Sequence, residues 1–368
     1  MRYNTIEKMI KNSDFIALES RLKQCNNIEW NQVINECLNQ RKIGKAKEYI
    51  NIMIDTNQIM KSYTAKAIAG AMGALYDAKE FDLLDDYLEN DFADAQSLDT
   101  EELKQEVLLE LADVFFEKKE LEKAKCYFKK YVHKMIQVEH NEYVENDTYY
   151  SFRSISAYTL RDLINNTITL SSPYEFNDSI DSLIYEAFRL KLQDEKRTIE
   201  RDVLFKDALE QVRIRCFSTP KGDKEPYLQP LMWAHYADSH KGICIKYKLS
   251  HSFPKENKKC VGRFGKVRYS KESINIRKDK YEYEECFLTK QSEWEYENEV
   301  RLVYVDTDNT SNYISLDLDA DSYVEAIYFG RKCSQLDIST IKTIFKDKNI
   351  DFGQMDFNPE KIFELRLS

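Results

Sequence analysis

The residues best suited to chemistry lie in the segment 294–305. Glutamate or arginine occupies every second position there, as Glu295, Glu297, Glu299 and Arg301, and mostly apolar or aromatic side chains lie between and after them. Because residues two apart share one face of a strand, the segment predicts a single strand with one polar face. Paired carboxylates can exchange protons with a substrate or stabilise developing positive charge, and the arginine would tether one acid and lower its pKa. The alternative interpretation is an ordinary solvent-exposed face.

A loop at residues 170–178 is the second polar cluster. It carries Ser171, Ser172, Tyr174, Asn177 and Asp178 around one proline, which predicts a shaped turn. Its hydroxyl, amide and carboxylate groups could bind a ribose or a phosphate. The same side chains could equally well stabilise the turn itself.

A third group lies in residues 231–243, where Trp233, His235 and Tyr236 fall in a short helical pattern that ends at Gly242. His235 could act as a catalytic base, although a histidine among aromatic residues is also commonly a hydrogen-bonded core residue. The chain contains no GxGxxG or Walker loop, no HExxH motif and no nucleophile elbow. Its 5 histidines are too scattered to predict a metal site, and no metal is expected.

The elements that would position these residues belong to the second of two predicted domains, 148–368. Short β-rich runs alternate with turns there, which predicts an α+β domain with a mixed or antiparallel sheet. A polar connector, His140–Asp147, precedes it. The predicted strands are Ile168–Leu170, Arg213–Ser218, Gly242–Leu249, Gly265–Tyr269, Glu299–Val305, Tyr313–Leu318 and Val324–Phe329, and the predicted helices are Ser156–Asn165, Ile180–Leu209 and Leu336–Lys346.

The first predicted domain, 1–140, is helical throughout. Three similar segments recur, with Ala46, Leu84 and Ala124 in equivalent places 38 and then 40 positions apart, which predicts stacked helical hairpins forming a solenoid. The third segment, Glu120–Phe128, resembles the second helix of a tetratricopeptide repeat. That resemblance implies binding of a protein partner or self-association through the repeats. A plain helical bundle is the alternative.

Composition limits the function classes. The net charge is −10, so the chain has no overall attraction to nucleic acid or anionic membranes, and nucleic acid is expected only as an acceptor. No apolar run approaches the ~18 residues of a membrane helix, and the polar N-terminal segment lacks a signal-peptide pattern. The 8 cysteines form no CxxC pair, as is typical of a reduced, cytoplasmic protein.

Taken together, residues 149–335 resemble a bacterial domain family of unknown function that is often encoded near abortive-infection and phage-defence genes. The resemblance implies a defence or toxin effector, and it singles out Trp294, Glu297, Glu299 and Arg301 while leaving Glu295 aside. The matching motifs are Phe152-Arg153-Ser154, Leu170 to Asp178, Cys216-Phe217-Ser218, Met232 to Ala237, Lys241 to Ile243, Lys290, Trp294 to Arg301, and Tyr328-Phe329-Gly330.

A weaker similarity connects the order of these motifs to the ADP-ribosyltransferase superfamily, which implies NAD as the substrate. On that basis Glu299 would stabilise the oxocarbenium ion formed at the ribose, Glu297 would orient or deprotonate the acceptor, and Arg153 would bind pyrophosphate. His235 would complete the catalytic set. The aromatic and loop residues Trp233, Tyr236, Ser171, Ser172, Tyr174, Asn177 and Asp178 would bind the dinucleotide.

Two other functions stay open at this point. A metal-dependent nuclease could use Asp178, Glu297 and Glu299 as oxygen ligands for magnesium. A non-catalytic sensor or scaffold would bind a partner through the helical repeats, and its acids would be structural.

Overall fold

The computed structural model of the protein describes residues 3–22, 27–59, 71, 73–87, 105–138, 148–176, 199–255, 260–271, 287–306, 311–361 and 364–368. The chain divides into two compact units, 1–134 and 135–368. None of the helices within these ranges combines the length and the apolar character that a membrane-spanning segment needs.

The described part of the first unit is helical wherever it has regular structure. Its helices are α1 (Tyr3–Lys11), α2 (Phe15–Leu22), α3 (Asn27–Asn39), α4 (Ile43–Ile59), α5 (Phe81–Asp86), α6 (Gln105–Glu117) and α7 (Leu121–Val138), with α7 running on into the second unit, and residues 73–77 are also helical.

The turns that precede the three similar segments share one geometry, which also recurs at Ser13 (φ 57°), between α1 and α2. Arg41, Lys79 and Lys119 have positive φ angles of 54°, 60° and 65°. At each turn the amide of the following residue donates to the carbonyl five positions earlier, at 2.8 to 2.9 Å, as in a Schellman motif. Ala46, Leu84 and Ala124, the equivalent positions of the three segments, are all fully buried. The recurring pattern therefore has a structural counterpart in each hairpin, while the stacking of the hairpins into a solenoid stays a prediction.

The second unit is built on a ten-stranded, mostly antiparallel sheet, which confirms the predicted α+β class. The strands are β1 (Thr148–Arg153), β2 (Thr167–Ser171), β3 (Val212–Ser218), β4 (Ile243–Lys248), β5 (Cys260–Lys266), β6 (Arg268–Ser270), β7 (Thr289–Gln291), β8 (Glu299–Asp306), β9 (Tyr313–Asp317), β10 (Tyr323–Phe329), β11 (Asp351–Phe357) and β12 (Leu365–Leu367). The helices of this unit are α8 (Ala157–Asn165), α9 (Ile199–Leu209), α10 (Pro230–Tyr236) and α11 (Gln335–Ile344).

Strand order in the main sheet is β12-β11-β10-β4-β1-β3-β2-β9, and β8 lies between β3 and β5. β10 and β11 are parallel, as are β6 and β7, which form a separate pair. One apolar core contains Leu163, Ile245 and Leu302. A second, smaller core is centred on Trp233 and Phe152.

The sheet divides beside β3, and this division positions the candidate site. On one edge β3 pairs with β8 along its whole length, from Val212 to Ser218. On the other edge the described strands meet β3 at two points only, where Ser218 pairs with β1 and Ile214 pairs with β2. β1 pairs along its whole length with β4, and β2 does so with β9. A gap therefore opens beside the middle of β3.

The segment 294–305 differs from its prediction. Residues Ser292–Glu297 form a 3₁₀-helix that ends at Asn298 in the left-handed conformation (φ 42°, ψ 56°), and β8 begins only at Glu299. The Asn298 side-chain amide donates to the carbonyls of Thr219 (2.9 Å) and Pro220 (3.0 Å), which holds this turn in place. The predicted two-residue alternation is therefore wrong for Glu295 and Glu297 and correct from Glu299 onward.

Other differences are local. The predicted strand Gly265–Tyr269 is interrupted at Val267, whose amide bonds to the Glu299 carbonyl, so that β5 and β6 are separate. Four strands, β1, β7, β11 and β12, were not predicted. Most of the predicted helix Ile180–Leu209 lies outside the described residues, and only its end is seen, as α9. The connector 140–147 also lies outside them.

Candidate active site

A cleft of about 220 Å³ lies at the gap between β1 and β2. Alternation along β3 places Cys216 and Ser218 on one face of the sheet and Arg215 and Phe217 on the other, and all four line the cleft. The cleft therefore crosses the sheet where the strands separate. The other lining residues are Tyr150, Ser151, Phe152, Arg153, Ser171, Glu175, Phe176, Ile214, Met232, Tyr236, Lys290, Glu297 and Glu299.

Glu299 is a fixed anion at the wall of this cleft. It is 3% exposed and its carboxylate accepts two hydrogen bonds from the buried Arg301, Nε to Oε1 at 2.7 Å and Nη2 to Oε2 at 3.2 Å. The Cys216 thiol also hydrogen-bonds it. Burial by itself would raise the pKa of Glu299, but the charges of Arg301 and Lys290 outweigh burial and lower the pKa to about 2. Glu299 is thus ionised and held by a bidentate ion pair.

Glu297 has the opposite electrostatic character. The Tyr236 hydroxyl donates to its Oε1 at 2.5 Å, and Lys290 Nζ donates to its Oε2 at 2.7 Å. Burial and the neighbouring negative charge of Glu299 raise the pKa of Glu297 above its ordinary value, and Lys290 and Tyr236 only partly offset them. Two acids with pKa values shifted in opposite directions are the pattern expected of a pair with divided catalytic roles.

Lys290, at the centre of β7, connects the two acids. Its Nζ lies 3.4 Å from Glu299 Oε2 as well as 2.7 Å from Glu297 Oε2, and 4.8 Å from the centroid of the Trp294 ring. It is 9% exposed, so its charge acts in a poorly screened environment. Lys290 therefore fixes both carboxylates on one side of the cleft.

Two arginines contribute to the cleft from other strands. Arg215 is 7% exposed, and its Nη2 donates to Ser151 Oγ at 2.6 Å, while its Nε has no hydrogen-bond partner among the residues that the structure describes. Arg153 ends β1, and the charge of Arg215, together with burial, lowers the pKa of Arg153 to about 10. The two guanidinium groups are thus close enough for the charge of Arg215 to act on Arg153.

Gly242 fixes the backbone at Arg153. A Cβ on Gly242 would lie 2.2 Å from the Arg153 carbonyl oxygen, so only glycine allows the turn after α10 to approach β1 this closely. The turn is closed by the Gly242 amide, which donates to the Ala237 carbonyl at 2.8 Å. The 231–243 motif therefore packs against the backbone of Arg153 and also supplies Tyr236 to the cleft.

The structure places only some of the loop residues that were predicted to bind a ligand at the cleft. Ser171, the last residue of β2, lines the cleft. Ser172 is buried, and its hydroxyl accepts from the Tyr174 amide at 3.4 Å, which makes it the cap of a short 3₁₀-helix. Tyr174 is 40% exposed and does not line the cleft. Asn177 and Asp178 lie outside the described residues.

Of the residues predicted in the 231–243 motif, Tyr236 lies at the cleft and Trp233 and His235 do not. Trp233 is fully buried, its indole N–H donates to the Tyr227 carbonyl at 2.8 Å, and its ring packs edge-on against Phe152. It is a core residue, and burial removes it from contact with a bound cofactor. His235 is exposed, lies 5.8 Å from Trp294 between ring centroids and does not line the cleft, so the base role predicted for it has no geometric support. Tyr236 does line the cleft.

Of the 17 residues that line the cleft, 12 were not predicted as site residues, and the charged ones among them are Glu175, Arg215 and Lys290. Glu175 and Phe176 lie within the predicted loop, between Tyr174 and Asn177. Arg215 is charged within a strand whose neighbours are almost all buried, and that contrast between charge and a β-rich run is the one signal that could have indicated it.

A magnesium site is poorly matched by the geometry. Among the described residues no group of three or more His, Cys, Asp and Glu side chains is arranged to hold a metal ion. A cation bound to Glu297 and Glu299 would also have to displace Lys290 and Arg301 from them. The third ligand of that alternative, Asp178, lies outside the described part of the chain.

Comparison with known proteins gives one match. A family model described as a protein of unknown function (DUF2971) matches residues 232–302. No curated protein and no solved structure matches the chain. The matched stretch contains the residues that form the acidic wall of the cleft, namely Tyr236, Lys290, Glu297, Glu299 and Arg301. Arg153 and Arg215 precede the matched stretch. Over residues 232–302 the chain is thus similar to an uncharacterised domain family.

Proposed function

We propose that this cleft cleaves the nicotinamide–ribose bond of NAD and transfers ADP-ribose to an acceptor or to water. The observation that carries the proposal is the inequivalence of Glu297 and Glu299 in a cleft that also holds two cationic arginines. A dinucleotide presents the complementary chemistry, because it combines a glycosidic bond that breaks with positive charge at the ribose and a negatively charged diphosphate.

The bonding of the two acids supports a division of roles that differs from the expectation from sequence. Glu299 has both carboxylate oxygens engaged by Arg301, so it is the fixed negative charge. Glu297 has the raised pKa, and its partners are the hydroxyl and ammonium groups of Tyr236 and Lys290. Glu297 is therefore the acid that can accept a proton during the reaction, and Glu299 supplies background negative charge for the oxocarbenium ion.

The proposed steps balance without a redox partner. The bond between ribose C1′ and the nicotinamide nitrogen breaks, and its electron pair leaves with nicotinamide, which becomes neutral. The carboxylates stabilise the positive charge left on the ribose. The acceptor then forms a bond to C1′ and transfers its proton to Glu297. Tyr236 and Lys290 orient the carboxylate throughout.

The biological setting is proposed on the resemblance rather than on the cleft. On that resemblance the protein is an effector of anti-phage defence or a growth-arresting toxin of the bacterial cytoplasm. The helical unit would bind a protein partner or a second copy of the chain. Its three equivalent hairpin turns support a repeated architecture suited to that role.

The test compares Glu297→Gln with Glu295→Gln in the full-length protein. Each variant is incubated with NAD carrying a labelled adenylate and with a cell lysate, and nicotinamide release and label transfer are measured with and without EDTA. Both substitutions remove one negative charge from the same turn, but Glu295 is exposed and paired with the exposed Lys221. We expect Glu297→Gln to lose activity ~100-fold or more and Glu295→Gln to keep it.

Two results would contradict the proposal. If wild-type protein releases no nicotinamide in any lysate, the proposed reaction is wrong. If Glu297→Gln keeps full activity, the catalytic role assigned to Glu297 is wrong. Circular dichroism must first show that Glu297→Gln is folded. Cleavage of nucleic acid that EDTA abolishes would instead favour the nuclease.

A further inference from the structure

The charged side chains that line the cleft are three acids and three cations, but they are unequally paired within the described part of the chain. Glu299 pairs with Arg301 and Glu297 pairs with Lys290. The remaining cleft acid, Glu175, accepts hydrogen bonds from the Asn312 side-chain amide and the Tyr313 hydroxyl, each at 3.3 Å. Every carboxylate that lines the cleft thus has its own donors, whereas no described carboxylate forms an ion pair with either of the two cleft arginines.

Of the two cleft arginines, Arg215 more clearly lacks an ionic partner within the described residues. Its described partners are both neutral, the Ser151 hydroxyl at 2.6 Å and the Thr169 carbonyl at 3.5 Å, and its Nε is buried without a hydrogen-bond partner in the described residues. A guanidinium does not deprotonate in proteins, so a side chain that is only 7% exposed carries a full positive charge away from bulk water. Such a charge is costly unless an anion compensates it.

Arg153 adds a second cation beside Arg215. It lines the same cleft, and the largest electrostatic influence on it is the like charge of Arg215, which the charge of the buried Asp162 only partly offsets. Strand geometry enforces this proximity, since Arg153 is held by pairing with β4 and Arg215 is held by pairing with β8. The backbone pairing therefore keeps the two arginines on neighbouring strands at one side of the gap.

We propose that Arg153 and Arg215 form a cradle for a diphosphate group, with one guanidinium for each phosphate. A guanidinium fork matches two oxygens of one phosphate, and two fixed cations match the two negative charges of a diphosphate linkage. This inference deepens the proposed function, because it rests on the same cleft and assigns the part of the dinucleotide that the cradle holds. Arg215 then acts in binding, a role that no motif of the sequence indicated.

A purely structural role for Arg215 makes different predictions. Its bonds to Ser151 and Thr169 tie together the two strands that diverge from β3. If that were its whole role, the protein would not bind diphosphate and Arg153 would have no part in binding. Binding of a simple ligand therefore separates the two interpretations.

The experiment measures binding of inorganic pyrophosphate and of inorganic phosphate to the full-length protein by calorimetry. We expect wild type to bind pyrophosphate at least ~10-fold more tightly than phosphate, and Arg153→Gln and Arg215→Gln each to weaken pyrophosphate binding by ~10-fold or more, as for loss of a charged hydrogen-bond partner. Arg161→Gln is the matched control, since Arg161 is on the nearby helix α8 with its side chain 49% exposed, and we expect no change.

Absence of pyrophosphate binding by wild type, or unchanged binding by Arg153→Gln, would overturn the proposal. Equal affinity for phosphate and pyrophosphate would overturn the assignment of a diphosphate. If Arg215→Gln does not fold, Arg153→Gln decides, because no described hydrogen bond depends on the Arg153 side chain. Pyrophosphate binding by wild type without NAD turnover contradicts the proposed function alone, and NAD turnover without pyrophosphate binding contradicts the cradle alone.

Discussion

Replacing Glu299 by glutamine should lower the free energy of unfolding of the second unit, and the structure indicates by how much. The carboxylate is buried and holds Arg301 through two hydrogen bonds. Its pKa is about 2 in the folded protein against an ordinary value of 4.5, and at about 1.4 kcal/mol per pKa unit this difference corresponds to ~3 kcal/mol of stability at neutral pH. Removing one partner of a buried ion pair typically costs about 3–5 kcal/mol. Both routes therefore predict a loss of the same size.

The pH dependence gives the sign of the effect. Because folding lowers the pKa of Glu299, its contribution to stability is complete above pH 4.5 and is lost as the pH falls towards 2. The difference in unfolding free energy between wild type and Glu299→Gln should thus be largest at neutral pH and should shrink between pH 4.5 and 2. Other acids titrate in both proteins, so the difference isolates this pair.

Urea unfolding followed by tryptophan fluorescence measures the effect, since Trp233 and Trp294 lie in this unit. Glu295→Gln is the control, with the same charge change at an exposed position, and its unfolding midpoint should match wild type. A Glu299→Gln protein within ~0.5 kcal/mol of wild type at pH 7 would refute the reasoning, since that is the range of surface substitutions. The expected loss also means that inactivity of a Glu299 variant would not by itself identify a catalytic group.

Three further outcomes follow from the same geometry. Tyr236→Phe removes a hydrogen bond that favours the ionised form of Glu297, so the pKa of Glu297 should rise and the acidic limb of the pH–activity profile should move to higher pH. Gly242→Ala places a methyl group against the Arg153 carbonyl oxygen and should lower the unfolding free energy by ~3 kcal/mol or more in urea titration, with no loss contradicting the predicted clash. Asn298→Ala removes the side-chain hydrogen bonds to the Thr219 carbonyl, the Thr219 hydroxyl and the Pro220 carbonyl, and it strains a left-handed residue. It should therefore cost ~1–3 kcal/mol in the same assay, and Asn298→Gly should recover only the backbone part.

The elements of the second unit were predictable where local signals are strong. α8 begins and ends as expected because Ser156 caps it through the Thr159 amide and Asn166 ends it in the left-handed conformation. β3, β4 and β8 are apolar enough to be recognised as strands. β11 was missed because Asp351–Phe357 mixes acids and a glycine with few β-branched residues, and its pairing with β10 and β12 supplies what its composition lacks.

The site was predictable to a smaller extent, because its geometry depends on contacts distant in sequence. The turn at Asn298 is set by hydrogen bonds to Thr219 and Pro220, so residue alternation alone could not show that Glu297 approaches Glu299 from a 3₁₀-helix. The role of Arg215 depends on two strands that diverge from β3, a feature that no local pattern encodes.

The two sides of the cleft differ in how they achieve electrostatic balance, and this difference argues for a ligand. The acidic wall is self-contained, since Lys290, Glu297, Glu299 and Arg301 lie close together in the chain and satisfy one another. The arginine side has no such compensation in the described residues, although building it requires the sheet to divide and two cations to stay close. Within the described residues, the structural gain from that arrangement is limited to the Arg215 hydrogen bonds to Ser151 and Thr169. A bound diphosphate would compensate the arginines and leave the acidic wall to act on the attached ribose.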